Sequence, residues 1–154
     1  MKNQLVITLL FAAATSACIH KQAGPVSAWE RVNINMAALA QLNNSVARGV
    51  ISLQQTGVVT VEQAAPILNF QENVAKDHAA IENIFSAGAP QTSNQAAVIQ
   101  ALLEEIKNQG NALILSGGLG VKNPNSQQTF TKDLQAIVNL AEIILTNYQQ
   151  AKAN

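Results

Sequence analysis

Apolar residues in this chain recur three and four positions apart, in four separate runs, against a background of Asn, Gln and Ala. That spacing follows the helical turn and lays the apolar side chains along one face of each run. Such a face must be buried against another, so the pattern calls for helices packed on helices. The first run carries Trp29, Val32, Met36, Leu39, Val46, Val50 and Leu53, with Asn43 as its one polar member. Ser27 and Glu30 stand in front of it three residues apart, as in a capping box, and Gly57 supplies a stop. The expected first helix therefore runs from about Ala28 to Gln55. Gly49 is its weak point, costing up to about 1 kcal/mol relative to alanine.

A second box, Thr60-Val61-Glu62-Gln63, opens a run with Ile67, Phe70, Val74, Ile81 and Phe85. Pro66 either bends this helix near its start or marks a later beginning at Ala65, where the first turn tolerates it. Ser86 to Ser93, with Gly88 and Pro90, reads as a loop. Thr92-Ser93-Asn94-Gln95 opens the third run, with Val98, Ile99, Leu102, Leu103, Ile106 and Leu113. Asn108-Gln109-Gly110-Asn111 interrupts it; the helix either stops at Asn108 or continues to Ser116, and the seven-residue step from Ile106 to Leu113 favours continuation. After Gly117, Gly118, Gly120 and Pro124, a cap at Asn125 or Ser126 opens a fourth helix to about Ala151, with Phe130, Leu134, Ile137, Ala141, Ile144 and Tyr148 inward. Four capped runs joined by short links imply an all-α fold, an up-down-up-down four-helix bundle over residues 27–154.

Composition agrees. Only 12% of residues are charged, the formal net charge is +0, and aromatic residues make up 4%. Asn and Gln together, about a fifth of the chain, supply the polarity instead. Without a basic patch or an aromatic stripe, nucleic acid is not an expected partner.

The N-terminal stretch has a different character. Lys2 precedes an unbroken apolar run, Leu5 to Ala14, and small residues lead to Cys18, the one cysteine of the chain. A basic start, a short apolar centre and a small-residue exit describe a secretory signal peptide at 1–17. The run falls short of the roughly 20 residues that a membrane span needs. Thr15-Ser16-Ala17-Cys18 resembles the lipobox of bacterial lipoproteins, although Thr15 stands where that family most often has Leu. The resemblance covers the signal alone. It implies cleavage before Cys18, a diacylglyceryl group on its sulfur, acylation of the new amine, and a periplasmic address on the outer membrane, since Ile19 is not the retention aspartate. The alternative is a cut after Ala17 that leaves Cys18 as a free thiol. Residues 18–26, with Gly24 and Pro25, then form a tether, whose eight residues after the cysteine, Ile19 to Val26, reach at most about 28 Å.

No pattern in the body points to catalysis. His78 lies in the inward stripe of the second helix, where it is expected either to hydrogen-bond to Asn43 or to be partly exposed. The residue three before it is Ala75, so the Glu-x-x-His element of di-metal bundles is missing. His78 with Glu82 is one i, i+4 pair, short of the ligands zinc requires. His20 sits in the tether. Asp77, Glu82, Glu104 and Glu105 read as solvated surface, since adjacent Glu104 and Glu105 point apart. The stretch Ser116 to Lys122 lacks the phosphate-loop spacing. The expected sites are therefore lipid attachment at Cys18, with no catalytic residue, no metal site and no cofactor. The expected partners are a membrane, through that lipid, and an envelope or phage-encoded protein. A soluble periplasmic bundle holding a small ligand between its helices is the second expectation.

Overall fold

The computed structural model describes residues 26–86, 92–115 and 121–153. Among them are four α-helices and no strand: α1 (Ala28–Gln55), α2 (Val61–Ser86), α3 (Ser93–Leu115) and α4 (Pro124–Ala153). At 1.5 Å per residue they are roughly 35 to 45 Å long.

Local chemistry explains where each begins. The Ser27 hydroxyl accepts from the Glu30 N–H at 3.1 Å and the Glu30 carboxylate accepts from the Ser27 N–H at 3.4 Å, closing a capping box on α1. Thr60 with Gln63 (3.3 and 3.0 Å) and Thr92 with Gln95 (3.1 and 3.2 Å) do the same for α2 and α3. The fourth cap differs from expectation: Asn123, not Asn125 or Ser126, accepts from the Asn125 and Ser126 N–H groups at 3.0 and 3.1 Å. Pro124 thereby becomes the first residue of α4, where its fixed φ suits the helix and its missing N–H is not needed. α1 ends in a Schellman closure, with Gly57 at φ 71°, its N–H donating to Gln54 and the Val58 N–H to Leu53.

Two ambiguous stretches are resolved. α2 starts at Val61 and keeps Pro66 inside it, which rules out a start at Ala65. The proline removes the helical donor for the Glu62 carbonyl, at an exposed residue where water can replace it. α3 runs unbroken through Gly110 to Leu115.

The helices form a ring. α1 packs on α2 and α4, and α3 packs on the same two, while Phe85 on α2 and Tyr148 on α4 meet across the diagonal with ring centroids 6.4 Å apart. The core is the set of inward stripes, including Val32, Leu39, Val50, Ile67, Ile81, Ile99, Leu103, Leu134, Ile137 and Ile144, all essentially inaccessible. Each such side chain contributes roughly 1.5–3 kcal/mol relative to exposure. Val98, placed in the third stripe from spacing, is exposed instead; the stripe is carried by Ala96, Ile99, Leu103 and Ile106. An aromatic cluster links three helices: Trp29 meets Phe85 and Tyr148 edge-on, with centroids 5.9 and 5.7 Å apart.

Gly110 is buried at the junction of three helices. A Cβ there would lie 2.5 Å from Val138 Cγ2 and 3.2 Å from Phe70 Cζ, whereas one at Gly49 would meet nothing within 4 Å. Val138 cannot easily turn aside, because its β-branch holds one χ1 rotamer in a helix. Gly49→Ala is therefore expected to stabilise the fold by about 0.5–1 kcal/mol through helix propensity alone. Gly110→Ala is expected to destabilise it by about 1 kcal/mol, overpacking outweighing the same gain. Urea unfolding of the two variants checks the opposite signs.

Candidate functional site

Cys18 and His20 lie outside the described residues, as does the glycine stretch 116–120. The polar side chains buried within the bundle are Asn43, Gln71 and His78, and they gather where α1 faces α2. Asn43 Nδ2 donates to the Gln71 carbonyl at 2.9 Å. His78 Nε2 lies 2.9 Å from the Met36 carbonyl, and because a carbonyl only accepts, this nitrogen carries the hydrogen. The expected bond between Asn43 and His78 is therefore not made; each reaches a backbone carbonyl of the facing helix instead. Both bonds cross from one helix to the other.

Beside them is a cleft of about 140 Å³ lined by Ala40, Asn43, Asn44, Val74, Ala75 and His78. The Asn43 side-chain oxygen and both polar atoms of the Gln71 amide are buried without a protein partner. As a ligand set the cleft is poor. The His78 Nε2 is committed to Met36, and Glu82 stands 3.6 Å away, beyond good hydrogen-bond length. Among the described residues no three His, Cys, Asp or Glu side chains come together to hold a metal. A wider hollow at the α1–α2 turn, about 560 Å³, is rimmed by exposed Ile51 and Val61 and opens to solvent.

The acidic residues do not all behave as solvated surface. Glu82, Glu104 and Glu105 are exposed, and Gln100 and Gln109 donate to Glu104 and Glu105 at 2.9 and 2.8 Å. Exposed Glu72 pairs with Lys76 at 2.7 Å, which holds its carboxyl below the usual range. Asp77 is the correction. It is half-buried, its Oδ2 has no protein partner, and burial together with the Glu105 charge on α3 pushes its pKa to about 6. Sequence adjacency separates Glu105 from Glu104 but says nothing about what lies across the seam. A usable signal was present: Asn73/Asp77 and Gln109/Glu105 are i, i+4 polar pairs flanking the apolar stripes of neighbouring helices.

Among the described residues no helix is long and apolar enough to cross a membrane. Compared with protein-family models, curated proteins and solved structures, the chain matches none.

The α1–α2 bonds differ in what they leave behind. Asn43 makes one bond to a carbonyl already used by its own helix ladder and strands its side-chain oxygen. Asn43→Leu is expected to raise stability by about 1 kcal/mol, because it removes a buried unsatisfied acceptor and adds apolar contact. Urea titration of the purified variant checks this.

Proposed function

We propose that this chain is an envelope lipoprotein, anchored through acyl groups on Cys18, whose helical body is a non-catalytic structural or protein-interaction module. The observation that carries this reading is Thr15-Ser16-Ala17-Cys18 following the apolar run Leu5 to Ala14, a short distance ahead of the Ser27 cap that opens α1. Two or more acyl chains give stable attachment where one gives marginal binding. The tether keeps the body within about 28 Å of the lipid, on the periplasmic face of the outer membrane.

In this reading the helices run up-down-up-down. The meeting points support that path: Trp29 with Phe85, Met36 with His78 and Asn43 with Gln71 rise along α1 as they fall along α2. Gly110 with Val138 and Lys107 with Glu142 show the same opposition between α3 and α4. The exposed faces, rich in Asn and Gln and poor in charge, suit contact with an envelope or phage-encoded protein through neutral hydrogen bonds.

The second reading is a soluble periplasmic bundle that holds a small ligand between its helices. The unpartnered amide atoms of Asn43 and Gln71 favour it. The cleft of about 140 Å³ counts against it, being well below the roughly 300–1,000 Å³ of ordinary ligand pockets.

The mass of the mature N-terminal peptide, taken from membranes, tests the anchor. It is expected to begin at Cys18 with a diacylglyceryl thioether and an N-acyl group. Cys18→Ala is expected to move the protein out of the membrane fraction. A peptide beginning elsewhere, or a bare Cys18, removes the lipoprotein reading.

A further inference from the structure

α2 and α3 share the least extensive of the four helix–helix contacts, and its polar edge is built in steps. Phe70 lies against Gly110. One turn along, Asn73 Nδ2 donates to Gln109 Oε1 at 3.1 Å, and Gln109 in turn donates to Glu105 Oε1 at 2.8 Å. The next turn brings Asp77 to Glu105, with the Asp77 Oδ2 buried and unpartnered. Among the described residues no cation is paired with either carboxylate. Lys107 turns to Glu142 on α4 at 3.5 Å, Lys76 is taken by Glu72, and His78 turns to Met36. The stretch of α1 beside this part of α2, Met36 to Asn43, contains no charged residue.

We propose that the α2–α3 seam is a proton-controlled joint: a proton on Asp77 closes it, and its loss leaves a charge on a buried oxygen beside the Glu105 carboxylate and loosens it. Protonated, Asp77 places no charge on its buried oxygen and none against the Glu105 carboxylate. Because the folded-state value of about 6 lies above the ordinary 3.8, the folded chain holds this proton more tightly than the unfolded one. The stabilisation is complete below about pH 4 and is lost as pH rises through about 6. Asp77 thus works over mildly acidic pH, a range in which most surface carboxylates are already ionised.

Hydrogen exchange of the full chain between about pH 4.5 and 7.5, corrected for intrinsic rates, tests the joint. Protection in peptides spanning Asn73–Ile81 and Ala101–Gly110 is expected to fall roughly tenfold, less than the full shift implies because solvent screens the half-exposed pair. Peptides from the α1–α4 contact are expected to change little. Asp77→Asn is isosteric, carries no charge at any pH, and is expected to flatten the response; Glu105→Gln is expected to shrink it. An Asp77→Asn protein with the wild-type pH response, or a wild-type seam that does not respond, overturns the proposal. A carbon-13 titration of the Asp77 carboxyl gives an independent reading. A midpoint near 6 supports the joint, and one near 4 overturns it.

Discussion

Three helices converge on a position that has no side chain. At Gly110, α3 comes close enough to Val138 on α4 and Phe70 on α2 that even a methyl group would overlap. This contact sets how α3 seats between its neighbours. Ile106 and Leu103 enter the core above it, and the polar edge from Asn73 to Glu105 follows one turn at a time. Glycine in a helix interior costs about 1 kcal/mol in propensity. Here that cost is offset by packing that a larger residue would prevent.

The polar groups inside the ring serve two different ends. On the α1–α2 side, Asn43 and His78 each reach across to a carbonyl of the facing helix, linking the pair at Gln71 and Met36. Neutral bonds of this kind add modest stability, about 1 kcal/mol or less net, but they penalise any slip of one helix along the other. On the α2–α3 side the polar edge joins neutral Asn73 and Gln109 to two acidic residues, Asp77 and Glu105, which among the described residues have no paired cation. A charge-poor body makes this contrast visible, because few other ion pairs act on either seam.

The division between what was and was not legible in the residues follows distance along the chain. The boxes at Ser27, Thr60 and Thr92 could be read directly, since each joins a side chain to a backbone group three positions away. Asn123 was passed over because Pro124 reads as a breaker until it is recognised as a first helical residue. Val98 kept the right spacing but fell on the flank, since α3 alone does not say which edge of a wide stripe its neighbours will cover. For Asp77, what mattered was burial in the seam and then a carboxylate on another helix, neither of which spacing within α2 reveals.

The sequence by itself determined four helices, three of their N-terminal caps and most of the residues that face inward. These depend on backbone and side-chain chemistry within one or two turns. It also carries the lipobox-like segment on which the proposed anchoring rests. Only the tertiary structure decided that Gly110 is a contact rather than a break, that Asn43 and His78 bond to opposite carbonyls rather than to each other, and that Asp77 meets Glu105. Each of these depends on which helices are neighbours and in what register. Register is set by the summed fit of every buried side chain along a seam, a quantity that no local stretch of residues contains.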